Sequence, residues 1–207
     1  MTIAKKVALI GASGFIGSRL LAELSARGHA ATAIARNPEK IAALPGVTAV
    51  KGDVFDKDGL ANRVAGHDAV ISAVHFTASD PQILLAAVKQ AGVKRYLVVG
   101  GAGSLEVAPG VKLFDTPAFP AAYLDEARKG GAFLDLLKQE KSLDWTFLSP
   151  SALIQPGERT GQFRLGADQL LVDAEGNSAI SAEDYAVALV DELEKPAHGR
   201  RRFTVGY

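Results

Sequence analysis

Val7-Ala8-Leu9-Ile10 is an apolar run that ends abruptly in Gly11-Ala12-Ser13-Gly14-Phe15-Ile16-Gly17. The next residues, Ser18-Arg19-Leu20-Leu21-Ala22-Glu23-Leu24, carry the apolar spacing of a helix. A strand that turns straight into an amphipathic helix leaves few folds open, because the turn must be tight and the helix must lie back on its strand. Gly11 permits the turn, Gly14 leaves the backbone bare where the helix starts, and Gly17 lets the helix approach the strand. The free N–H groups of such a helix end carry a partial positive charge and suit a pyrophosphate. The residues expected to meet it are Gly11, Ser13, Gly14, Phe15, Ile16 and Gly17. The spacing is Gly-x-x-Gly-x-x-Gly rather than Gly-x-Gly-x-x-Gly, and a bare tight turn is the alternative; the flanking strand and helix favour a dinucleotide site.

Strand and helix patterns then alternate. Strand-like segments at 5–10, 30–35, 47–50, 69–73, 95–99 and 145–148 are separated by helical patterns at 15–27, 56–65, 80–91 and about 120–140, with a short helix opening at Asn37-Pro38. Strands that are apolar throughout belong to a sheet buried on both faces. The expected fold class is therefore α/β, a doubly wound, Rossmann-like parallel sheet with helices on both faces. After Pro150 the texture changes. Residues 151–163 read as a loop, 164–173 with 176–180 as a small hairpin, Ser181-Ala182-Glu183-Asp184 as the capped start of a helix to about Glu194, and 202–205 as a terminal strand. We expect one domain over 1–207, with 151–207 as a substrate-side lobe.

Composition removes several functions. Lysine and arginine number 23 and aspartate and glutamate 23, so no net field draws in nucleic acid or an anionic membrane. The Arg200-Arg201-Arg202 run reads as a solvated strand edge. The chain has no cysteine, which excludes disulfides and thiolate chemistry and suits a cytoplasmic setting. A strand pattern from about residue 3 leaves no room for a signal peptide, and no apolar run has the length of a membrane span. His29, His67, His75 and His198 lack metal-ligand spacing.

The end of the second strand bears on the nucleotide. An acidic residue there would bind a ribose 2′-hydroxyl, whereas this chain has Ala35-Arg36, with no carboxylate before Glu39. Arg36 suits a 2′-phosphate, so NADP(H) is favoured over NAD(H). Asp53 and Val54 follow the third strand, where the carboxylate could meet adenine or simply form a turn. Ser72, Ala73 and Val74 end the fourth strand with small or modest side chains, beside which a ribose could lie.

Four segments taken together resemble the atypical short-chain dehydrogenase/reductases: Gly-Ala-Ser-Gly-Phe-Ile-Gly at 11–17, Lys-Gly-Asp-Val at 51–54, Leu-Asp-Trp-Thr-Phe-Leu-Ser-Pro at 143–150 and Ile-Ser-Ala-Glu-Asp-Tyr-Ala at 180–186. The nearest in appearance are the NADH-flavin reductase, biliverdin reductase B and NmrA-like types. The resemblance implies NAD(P)H binding without settling the reaction. It also marks a departure. Typical short-chain dehydrogenases carry a serine after strand five and a Tyr-x-x-x-Lys pair on the next helix, where tyrosine exchanges the substrate proton. Here Gly100-Gly101-Ala102-Gly103 follows strand five, Ser104 is the next hydroxyl, and Ala127 stands four residues after Tyr123. Lys129 falls on another helix face. Ser104 and Tyr123 remain candidate proton donors, and Gly100 and Gly101 either expose backbone to the nicotinamide or form a turn. Leu113, Phe114 and Phe119 suit a lid over a flat ring. Ser149, Ser151 and Gln155 could orient a carboxamide, while Lys112, Arg159 and Arg164 could hold an acidic substrate.

A reductase of a flavin- or quinone-type small molecule fits best, since such hydride transfer needs little beyond placing two rings face to face. An NmrA-like NADP(H) sensor without turnover is the alternative. A nucleotide-sugar epimerase or dehydratase ranks below both. Fold analogy alone raises a homodimer through the helix at 120–140.

Overall fold

The computed structural model describes residues 3–207. The first unit is β1 (Lys6–Ile10), α1 (Phe15–Ala26) and β2 (Ala30–Ala35). Next come β3 (Val47–Lys51), α2 (Lys57–Val64), β4 (Ala69–Ser72), α3 (Pro81–Gln90) and β5 (Arg95–Val99). A small hairpin of β6 (Glu106–Ala108) and β7 (Val111–Lys112) precedes α4 (Leu124–Gln139) and β8 (Asp144–Ser149). The chain finishes with β9 (Leu153–Gln155), β10 (Arg164–Gly166), β11 (Ala179–Ser181), α5 (Ala182–Glu194) and β12 (Arg201–Gly206). The expected helix after Asn37 is a single 3-10 turn, Pro38–Lys40.

The main sheet has the order β10-β12-β8-β5-β4-β1-β2-β3. All its pairings are parallel except that of β10 with β12. Alternation along β1 divides the core. Val7 and Leu9 point to the side covered by α1 and α5, where they join Leu20, Leu24, Tyr185, Leu189 and Phe203. Ala8 and Ile10 point to the side covered by α2, α3 and α4, with Leu60, Leu84, Val88, Phe133, Leu137 and Trp145. Each fully buried large apolar side chain contributes roughly 1.5–3 kcal/mol. The doubly wound Rossmann-like sheet is thus the one the sequence pattern implies.

Local signals explain most helix starts. Asp56 accepts the Gly59 amide at α2, Asp80 accepts the Gln82 amide ahead of Pro81 at α3, and Ser181 accepts the Asp184 amide at α5. α1 and α4 are the exceptions: their N-caps, Gly14 and Tyr123, provide no side-chain hydrogen bond.

The expected 164–173/176–180 hairpin does not form. Asp173 does close a turn by accepting the Glu175 and Asn177 amides, but its arms part. β10 pairs antiparallel with β12, and β11 pairs parallel with β9. Two open strand edges attract these segments more than they attract each other. The Arg200–Arg202 run is likewise not uniformly solvated. Arg201 is exposed, whereas Arg202 is buried against Asp168 and Ser104.

Candidate functional site

The carboxyl ends of β1, β2 and β4 converge on the glycine turn. Gly11 has φ +83°, and a Cβ there would stand 2.3 Å from the Ala73 carbonyl oxygen. A Cβ on Gly17 would stand 2.1 Å from the Gly11 carbonyl oxygen, and one on Gly14 3.2 Å from the same atom. The turn is sewn down from below, because the Gly11 amide donates to Ile34 O at 2.9 Å and the Ala73 amide to Ile10 O at 2.8 Å. Ser13 and Phe15 are exposed and Ile16 is half-buried. No acidic residue occupies the first turn of α1, so its positive end is not neutralised from within. The Arg19 guanidinium lies 4.8 Å from the centre of the Phe15 ring and is shared with Glu183.

On one side of this turn lie the residues that follow β2 and β3. Arg36 is exposed at the end of β2 and makes no ion pair with another described residue. Asp53 uses Oδ1 to accept the Phe55 amide at 2.9 Å, so its carboxylate shapes the turn while its other oxygen carries no such bond. Val54 packs partly into the core beside it.

On the other side lie the residues after β4 and β5. The Ser72 hydroxyl is buried and bonded to Tyr96 Oη at 2.9 Å, leaving the backbone of Ala73 and the side chain of Val74 beside Gly11. Burial pushes the Tyr96 phenol above its ordinary range. The next turn is held by α4: Glu126 accepts the amides of Phe76 and Thr77, each at 2.8 Å, and the Thr77 hydroxyl at 2.7 Å. Burial opposes ionisation of Glu126, yet these hydrogen bonds outweigh it and hold its pKa below the usual value. Phe76 stacks on Phe147 and leaves no room for a Cβ on Gly130 of α4, which would approach it to 2.7 Å. Sequence reasoning missed Glu126 and Phe76. Gly130-Gly131 inside a helix was the available signal of close approach.

Gly100 and Gly103 are packing positions. A Cβ on Gly100 would meet Phe147 at 2.3 Å, and one on Gly103 would meet Ala127 at 2.6 Å, whereas Gly101 stays open, with Phe76 at 3.6 Å. Ser104 is buried, and its hydroxyl accepts from Arg202 at 2.9 Å. Tyr123 precedes α4 and is 66% exposed. Phe114 packs on Gly103 and Gly131, Lys112 lies over the Phe114 ring, and Leu113 and Phe119 are half-buried, so this loop rests on its own domain.

The segment after β8 is strapped to α1 and α5. Arg159 grips Glu23 of α1 through two hydrogen bonds of 2.7 and 2.8 Å. Glu183 accepts the Gly157 amide, and Asp184 accepts from Thr160 and Gly161. Arg164 donates to the carbonyls of Val172 and Tyr207. Arg159 and Arg164 therefore hold the chain to itself. Ser151 donates to Val205, Gln155 is exposed, and the buried Ser149 hydroxyl has no protein partner. Among the described residues no group of acidic, histidine or cysteine side chains is gathered to hold a metal, and no helix is long and apolar enough to cross a membrane.

A cradle that a Cβ would fill, an open helix end and a crest between β1 and β4 where the strand order reverses define a dinucleotide-binding Rossmann protein. The chain belongs to the NAD(P)H-binding family, whose model matches residues 11–196. It is similar along nearly its whole length to three solved structures. A putative exported protein of Burkholderia pseudomallei is 48% identical with TM-score 0.90, covering 98% of this chain and 100% of that one. A putative epimerase of Bacteroides thetaiotaomicron is 47% identical with TM-score 0.94, covering 99% and 98%. A putative NADH-flavin reductase of Streptococcus pneumoniae is 37% identical with TM-score 0.81, covering 98% and 99%.

Proposed function

We propose that this protein is an NADPH-dependent reductase that delivers a hydride to a flavin- or quinone-type acceptor. The observation that carries the reading is a dinucleotide cradle beside which no Tyr–Lys pair is assembled: Ser104 is held by Arg202, Ser72 by Tyr96, and Tyr123 is exposed while Lys129 pairs with Asp125. Chemistry that leans on a fixed Tyr–Lys pair suits such a rim poorly, whereas ring-to-ring hydride transfer demands mainly placement. The α1 end and the bare turn at Gly14 would hold the pyrophosphate, and Arg36 a 2′-phosphate. The bound nicotinamide would supply the hydride. Ala73, Val74 and Gly101 would line the reactive half with backbone and small apolar groups.

The relative named as an epimerase supports a second reading, sugar epimerisation or dehydration. Against it, β10, β12 and α5, formed by residues beyond Pro150, complete the sheet and its cover rather than a separate sugar-binding unit.

Fluorescence titration with NADPH and NADH, followed by absorbance decay after addition of FMN, FAD or menadione, tests the proposal. Acceptor-dependent oxidation with NADPH preferred supports it. Tight binding with no oxidation by any acceptor rejects the reductase in favour of a sensor. Arg36→Ala should weaken NADPH roughly 10-fold or more, the scale of a lost charge-assisted pair, and leave NADH nearly unchanged.

A further inference from the structure

We propose that His75, held by Glu126, is the general acid that protonates the reduced acceptor; the assignment rests on the reductase reading above. Its place comes first. Val74 lies against the glycine turn, 2.9 Å from where a Gly11 Cβ would be, and Phe76 lies beside Gly101. His75, between them, stands at the rim of β4 and β5. Arg36 and Asp53 mark the adenosine half over β2 and β3, on the far side of β1. The reactive half of a dinucleotide laid across the crest therefore falls on the β4–β5 side.

Chemistry comes second. His75 Nδ1 lies 3.3 Å from Glu126 Oε1, while Nε2 has no protein partner among the described residues. Glu126 is itself fixed by Phe76 and Thr77, so the ring is positioned by a carboxylate that cannot follow it outward. The His75 side chain is 83% exposed, which gives it ready exchange with water between turnovers. The other charged groups nearby are engaged elsewhere. Asp80 accepts the Gln82 and Ile83 amides, and Lys129 pairs with Asp125, which leaves Glu126 as the carboxylate facing the ring. Of the other hydroxyls, Tyr185 Oη is buried and donates to Leu148 O at 2.7 Å, Ser104 is held by Arg202, and Tyr123, exposed as His75 is, has no carboxylate bonded to its hydroxyl among the described residues.

The step balances. A quinone takes two electrons and one proton as a hydride from the reduced nicotinamide, which leaves a hydroquinone oxyanion. The His75 Nε2–H bond breaks, the O–H bond forms, and the neutral imidazole regains its proton from water. The net uptake is one proton per quinone reduced.

Two measurements test this. The first needs no turnover: diethyl pyrocarbonate labelling read by mass spectrometry, with partly buried His67 as internal reference. His75 should label readily in the free protein and several-fold more slowly with saturating NADPH. Equal labelling in both states overturns its placement beside the cofactor. The second is menadione reduction by wild type and His75→Gln. The variant should bind NADPH as wild type does, lose about 100-fold in kcat/KM, and lose the alkaline fall of the wild-type pH profile. A merely structural histidine would leave that profile in place. Wild-type rate and profile in His75→Gln overturn the assignment alone. A wild-type protein that binds NADPH yet reduces no acceptor overturns the reductase reading, and this assignment with it.

Discussion

Gly17 sits in the first turn of α1, but what it excludes lies in the turn before it. A methyl group there would press on the Gly11 carbonyl at 2.1 Å, and both partners are backbone. Gly17→Ala should therefore displace the helix start, lower stability by about 1–3 kcal/mol and weaken NADPH binding together. Gly28 is the comparison. It too has positive φ, +77°, yet nothing lies within 4 Å of its Cβ position. Gly28→Ala should cost about 1 kcal/mol through backbone strain and leave NADPH affinity untouched. Urea unfolding and fluorescence titration of both variants separate the two cases. Gly14 and Gly17 were readable in the sequence because each acts within a few residues of itself, on the Gly11 carbonyl, whereas Gly100 and Gly103 pack on Phe147 and Ala127 from distant segments. Ser104 was not readable either, since Arg202, 98 positions away, claims its hydroxyl. Tyr123 was opaque for a similar reason: exposure is decided by where α4 begins, not by the residue.

Between elements, the joint of α3, α4 and β8 turns on Glu140. It accepts from Lys89 of α3 at 2.8 Å and from the Ser142 hydroxyl at 2.6 Å. The Lys89 hydrogen bond first, then Ser142, lower its carboxyl from 4.5 to about 2. A depressed carboxylate stabilises the fold above its unfolded pKa, and that contribution fades as pH falls through the folded value. The wild type should thus lose stability progressively between pH about 4.5 and about 2, and Glu140→Gln should flatten that part of the curve. Lys89 is half exposed, so the loss stays below about 1 kcal/mol. Urea midpoints at several pH values from neutral to acidic check it, and identical slopes in both proteins reject it. Elements set by local periodicity and caps, such as α2 behind Asp56 and α3 behind Asp80-Pro81, were legible from the chain alone. The arms of the Asp173 turn were not, because both are three-residue strands whose partners are edges built elsewhere, by β12 and β9. Short strands carry too little pattern to name their neighbours.

Across the whole molecule the sheet separates its two ends by task. The carboxyl end carries Gly11, Arg36 and the His75–Glu126 pair, with exposed or half-exposed polar groups. The amino end of β5 and β8 carries a buried charged network instead. Arg95 donates to Glu192 at 2.8 Å and to Thr146 at 2.7 Å, and Glu192 also meets His198 Nδ1 at 2.8 Å. The His198 ring in turn stacks on Phe203 of β12, centroids 4.1 Å apart. Burial opposes ionisation of Glu192, but hydrogen bonds from His198 and from the His198 and Ala197 amides outweigh it and lower its pKa. Arg95 is 9% exposed and Glu192 4%, and without Glu192 the buried guanidinium keeps only Asp144, at 3.5 Å, as an ion-pair partner. Glu192→Ala should cost about 3–5 kcal/mol of stability for that reason. It should not change NADPH affinity in the fraction that remains folded, because the network joins α5 to the sheet at the end away from the cradle. Arg36→Ala should do the reverse, sparing stability and weakening NADPH. Urea unfolding and NADPH titration on the two variants give a crossed pair of results. A Glu192→Ala protein of wild-type stability would break the stability half of the argument, and one that is folded but binds NADPH poorly would show that the two ends of the sheet are coupled.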